Sequence, residues 1–119
     1  MLPRWIVCAA AALFLVGSVD ARAHAFLDHA DPRVGSAVGA APREVTLWFT
    51  QDLEPAFSTV TVTDASGKRV DASSPTFDGN VMRVPLLSIT AGTYKVTWHA
   101  LSVDTHTTDG AFTFSVGER

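Results

Sequence analysis

Tyr94-Lys95-Val96-Thr97-Trp98-His99-Ala100 is the stretch whose reading decides the fold. Its aromatic and aliphatic side chains fall on even positions, and Lys95, Thr97 and His99 fall on odd ones. A pleated strand sends successive side chains to opposite faces, so this parity predicts one buried face and one wet face. Ala111-Phe112-Thr113-Phe114-Ser115-Val116 repeats the pattern more cleanly. Upstream, Val45-Thr46-Leu47-Trp48-Phe49 is apolar at odd positions, and Thr59 to Thr63 alternates Thr with Val. Val81 to Leu86 reads as another strand, with Pro85 suited to a strand end or an edge. Turn chemistry separates the runs at Asp64-Ala65-Ser66-Gly67, Asp78-Gly79-Asn80, Ala91-Gly92 and Asp109-Gly110. With no helical periodicity between them, the strands predict an all-β domain, an antiparallel sandwich or barrel.

Ahead of this domain the residues have another character. Met1 to Trp5 carry one positive charge at Arg4, Ile6 to Val19 is nearly all apolar, and Ala21-Arg22-Ala23 offers small residues at both positions a signal peptidase reads. This is a secretory signal peptide, expected to be cut after Ala23, and its apolar run is short for a membrane span. The domain then runs from His24 to Arg119, in a periplasmic or secreted protein with no membrane insertion after cleavage. It carries seven Lys and Arg against eleven Asp and Glu, a formal charge of −4. A mildly acidic surface without a basic stripe argues against nucleic acid or an anionic membrane as partner. The one cysteine, Cys8, lies in the leader. The domain therefore relies on its core alone, and any metal site in it is not a thiolate site.

His24 and Asp104-Thr105-His106 carry the chemistry. Cleavage after Ala23 exposes the α-amino group of His24, which with its own imidazole forms a bidentate nitrogen pair. An unperturbed α-amine has a pKa of roughly 7.7–8.0, so a metal displaces its proton near neutral pH. Asp104 and His106 are two apart, and in extended backbone such side chains share a face. The combined set, three nitrogens and one oxygen, suits Cu(II) better than Zn(II), and far better than Ca(II) or Mg(II). Each piece alone is weak, because an Asp-x-His in a loop is more often a hydrogen-bonded turn than a ligand pair.

The stretch from His24 to Val116 resembles the copper resistance protein CopC family. The resemblance rests on His24-Ala25-Phe26-Leu27, on Asp31-Pro32 with Gly35, and on Ala41-Pro42 leading to Leu47-Trp48-Phe49 and Ala56-Phe57-Ser58. Ala91-Gly92-Thr93-Tyr94-Lys95-Val96-Thr97-Trp98 and Leu101-Ser102-Val103-Asp104-Thr105-His106 are its most specific parts. Gly110 and Phe112 to Val116 close it. The resemblance implies a Greek-key β-sandwich or barrel of cupredoxin- or immunoglobulin-like architecture. It also implies one Cu(II) per chain, held by His24 through amine and imidazole and by Asp104 and His106, without catalytic turnover. A CopD-like inner-membrane copper transporter is the partner it suggests. Two departures stand out. Members with a methionine-rich loop hold Cu(I) there, whereas Met82 is the one methionine after the leader, so no Cu(I) site is expected. Thr50-Gln51 stands where some members carry a glutamate.

The other histidines read as minor. His29 is a solvated loop residue that could reach an axial position, and His99 faces away from Trp98 as a surface group or a support to the ligands. Two competing functions remain. An N-terminal histidine chelate also opens the lytic polysaccharide monooxygenases, but the domain is small, and Asp104 would fill a position that an oxygen-activating copper needs open. The other is an immunoglobulin-like binding module with incidental histidines.

Overall fold

The computed structural model describes residues 27–117; the leader, its cleavage site and His24 lie outside the described residues. The chain forms β1 (Leu27–Asp31), β2 (Ala37–Val38), β3 (Glu44–Phe49), β4 (Thr59–Thr63), β5 (Thr76–Asp78), β6 (Val81–Pro85), β7 (Gly92–Leu101) and β8 (Thr107–Val116). A single 3-10 turn, Pro55–Phe57, precedes β4. Two four-stranded sheets result, ordered β1-β3-β6-β5 and β2-β8-β7-β4. The structure is thus the sandwich of the two expected forms. Strands adjacent in sequence repeatedly lie in different sheets, as β3 and β4 do, which is the Greek-key habit of crossing over the core. Pairing is antiparallel except for the two-residue β2, which lies parallel to β8.

The core follows the predicted parity. Tyr94, Val96, Trp98 and Ala100 of β7 face inward, as do Phe112, Phe114 and Val116 of β8 and Val45, Leu47 and Phe49 of β3. Phe49 packs edge-on against Trp98, with ring centroids 5.3 Å apart at 77°. Removing one such side chain from water contributes roughly 1.5–3 kcal/mol, which makes this layer the main source of stability in a domain whose described residues hold no cysteine.

One turn lies elsewhere than the sequence suggests. Asp109-Gly110 does not turn; both residues sit inside β8, opposite His99 and Trp98. The β7–β8 reversal is made by residues 102–106. Gly110 is there for space: a Cβ at that position would lie 2.6 Å from Cζ2 and 2.8 Å from Cε2 of Trp98. Gly110→Ala is therefore expected to lower stability by about 1–3 kcal/mol, the usual cost of overpacking, read as a lower midpoint in urea at unchanged slope.

Register fixes which segments meet at one end of the sandwich. Leu27 pairs with Phe49. The N–H of Leu53 donates to the carbonyl of Gly79 (3.0 Å), that of Glu54 to Leu101 (2.8 Å), and that of Val103 to Asp52 (3.0 Å). The start of β1, the loop after β3, the β5–β6 turn and the β7–β8 turn therefore share this end. Asp28, Asp52, Glu54, Asp78 and Asp104 belong to these segments, and none of them contains Lys or Arg. Arg43, Lys68 and Arg69 sit at the opposite end, beside the strand termini at Glu44, Pro85 and Thr63.

Candidate metal centre

β7 keeps its inward parity through Tyr94, Val96, Trp98 and Ala100, and the next even position is Ser102, which is completely buried. The chain reverses immediately afterwards. The N–H of Thr105 donates to the carbonyl of Ser102, and the N–H of Ser102 donates to that of His106, both at 2.9 Å. Thr105 takes a positive φ of 73°. That left-handed conformation is uncommon for a β-branched residue. It turns the chain within one residue and leaves Asp104 and His106 on either side of the bend.

Asp104 and His106 do converge, although not by the route the spacing suggested. They flank a tight turn instead of sharing a face of extended strand. His106 Nδ1 lies 3.3 Å from Asp104 Oδ1, with the two side chains 80% and 42% exposed. The Ser102 hydroxyl donates to the same Oδ1 and also accepts the N–H of His106 at 3.3 Å. That hydrogen bond is the main reason the Asp104 carboxyl is held below the ordinary carboxylate range, with His106 adding to the effect and desolvation opposing it. Asp104 is therefore ionised throughout the neutral range, in the form a metal needs. Oδ2 of Asp104 and Nε2 of His106 remain as one oxygen and one nitrogen donor on two exposed side chains.

The other predicted residues lie apart from this pair. His29 stacks on Trp48 at 4.3 Å and 9°, and its Nδ1 lies 2.7 Å from Asp28 Oδ2. His99 Nδ1 lies 2.8 Å from Asp109 Oδ1 on the outer face of β7 and β8. Trp98 is a core residue, whereas Trp48 is half-buried beneath His29. Gln51 is exposed in the loop after β3. Among the described residues no three His, Cys, Asp or Glu side chains come together as a metal cluster. His24 lies outside them, three positions before Leu27.

Ser102 is the site residue that the sequence reading passed over. Its signal was present, because extending the even-position parity of β7 two residues past Ala100 puts a polar side chain inside the sandwich.

A family model for the CopC domain matches residues 27–117. The chain is 41% identical over 98 residues to Protein YobA of Escherichia coli strain K12, covering 79% of each. Among solved structures it is similar to CopC from Methylosinus trichosporium OB3b, with a TM-score of 0.72 and 30% identity over 78% of this chain and 93% of that one. It is also similar to PcoC, a methionine-rich copper resistance protein from Escherichia coli, with a TM-score of 0.69 and 35% identity over 80% and 100% of the two chains. The sandwich, the β7–β8 turn and this match along all the described residues establish that the chain belongs to the CopC domain family.

Proposed function

We propose that this protein binds one Cu(II) per chain through His24, Asp104 and His106, and serves copper resistance or homeostasis outside the cytoplasm without catalytic turnover. The observation that carries the reading is the convergence of Asp104 and His106 at the end of the sandwich where β1 begins. Leu27 pairs with Phe49, and the loop after Phe49 is bonded to Val103 through Asp52. A chain beginning at His24 adds three residues, about 10 Å of extended backbone at 3.3–3.6 Å each, ahead of Leu27 at this same end of the sandwich. Three nitrogens and one carboxylate oxygen form a set that Cu(II) accepts in a square plane.

PcoC is a methionine-rich copper resistance protein. Here Met82 is fully buried in the core, where its thioether packs and is shielded from any ion. That supports a Cu(II) protein with no Cu(I) site. Export through the leader gives it a periplasmic or secreted location, and a CopD-like inner-membrane copper transporter is the partner the family suggests.

The test begins with the full chain expressed with its own leader and recovered from the periplasmic fraction. Mass spectrometry is expected to read His24 as the first residue. Titration with Cu(II) against a competing chelator is expected to give one tight equivalent, and Asp104→Asn with His106→Gln is expected to remove it. A species that still carries the leader, or binding indifferent to that double change, would sink the reading.

A further inference from the structure

The reversal at residues 102–106 holds its donors before any ion arrives, and one buried atom does the holding. Ser102 is 0% exposed. Its backbone is locked on three sides: its N–H donates to the carbonyl of His106, its carbonyl accepts from Thr105, and the bonds of Leu101 to Glu54 and of Val103 to Asp52 pair it with Leu53 alongside. Its hydroxyl has one proton. Of the two acceptors in reach, the Asp104 carboxylate and the His106 carbonyl at 3.2 Å, the carboxylate forms the stronger, charge-assisted bond. The carbonyl of His106 already receives the N–H of Ser102 at 2.9 Å. The lone pairs of the hydroxyl are free to accept the N–H of His106. One oxygen thus ties the side chain before the bend to the backbone after it.

We propose that Ser102 is the positioning residue of the metal centre. By pinning Oδ1 of Asp104 and the backbone of His106, its buried hydroxyl leaves Oδ2 and Nε2 as a preformed donor pair. This rests on the copper reading above and goes beyond it, since Ser102 itself touches no metal. Preformation matters because an exposed aspartate and histidine would otherwise have to be frozen out of many rotamers on binding. Groups that orient ligands in this way typically change metal affinity by about 10–100-fold when removed.

The experiment uses the exported, leader-processed chain and three variants, Ser102→Ala, Ser102→Thr and Asp104→Asn. Three quantities are read on each: Cu(II) affinity by chelator competition, the Cu(II) EPR spectrum, and thermal unfolding of the metal-free form. Ser102→Ala is expected to weaken Cu(II) by about 10–100-fold and shift the EPR hyperfine splitting, and Ser102→Thr, which keeps the hydroxyl, is expected to restore both. A purely structural serine would lower the unfolding temperature in the alanine variant while leaving affinity and spectrum as they were, and that outcome overturns the proposal.

Wild-type amide relaxation supplies a measurement that no variant's folding can spoil. Residues 102–106 of the metal-free chain are expected to show order parameters like those of β7, about 0.85, and values below about 0.6 overturn preformation. The copper reading stands or falls separately on Asp104→Asn. If that change leaves affinity intact, the site itself is wrong; if it weakens binding while Ser102→Ala does not, only the role of Ser102 is lost.

Discussion

One alanine placed ahead of His24 is expected to weaken Cu(II) binding by about two orders of magnitude while leaving the fold untouched. The comparison needs two preparations, one beginning at His24 and one at the added alanine, each released from a fusion with a defined cut. The extension deletes no side chain. It converts the amine of His24 into an amide, which no longer coordinates without losing a proton it holds tightly, and moves the new amine a residue away from the imidazole. If a tight site of about 10–16 kcal/mol is shared among four donors, each is worth roughly 3 kcal/mol, about a hundredfold in affinity. Far-ultraviolet circular dichroism and the unfolding temperature of the metal-free forms should coincide, because the change falls before Leu27, the first residue of β1. Equal copper affinity in the two preparations would remove the amine of His24 from the site and leave Asp104 and His106 as a weak pair.

Phe49→Ala is expected to be the most damaging single core change. Phe49 ends β3 almost wholly buried and packs edge-on against Trp98. Its backbone also ties in the β5–β6 turn: its N–H donates to the carbonyl of Asn80 (2.9 Å), and its carbonyl accepts Asn80 Nδ2 (2.7 Å). Truncation removes a large ring between the sheets and leaves a cavity that the surrounding strands cannot close. The expected loss is about 3–5 kcal/mol, out of the roughly 5–15 kcal/mol that holds a domain of this kind together. In a scan this corresponds to a fall in Tm of about 12 °C or more. Phe57→Ala is the control. It changes the same residue type in the next segment, where the ring is 63% exposed, and should stay within about 0.5 kcal/mol. Similar losses at both positions would mean that the core is not centred on the Phe49–Trp98 contact.

The strands that were legible are those with a deep inner face. β3, β4, β6, β7 and β8 alternate because every second side chain enters the core, and the sequence records that as parity. β1 was not legible as a strand. Leu27-Asp28-His29-Ala30-Asp31 is an edge strand that fully buries only Ala30 and half-buries Leu27 against the core, its other residues being exposed. β2 and β5 are too short to show a period. Asp109-Gly110 misled because a glycine between two runs usually marks a reversal. Here Gly110 lies flat beneath the indole of Trp98, a contact between neighbouring strands that no local pattern encodes. At the site, the residue types and their spacing were enough to nominate Asp104 and His106. The left-handed Thr105 and the buried Ser102, which bring the pair together, depend on the three-dimensional path of the turn.

The arrangement of charge along the sandwich makes the molecule an electric dipole. Acidic groups without basic neighbours gather where the donors are, whereas at the far end Arg43, Lys68 and Arg69 are balanced by Glu44, Asp64 and Asp71, with Arg69 paired to Asp71 at 2.6 Å. A cation diffusing nearby is drawn to the donor end, and that attraction fades once salt shortens the Debye length to about 10 Å or less. Beside an anionic bilayer the net negative charge keeps the molecule from adsorbing, and the torque on the dipole turns its acidic end away from the lipid. The donors then face away from the membrane plane.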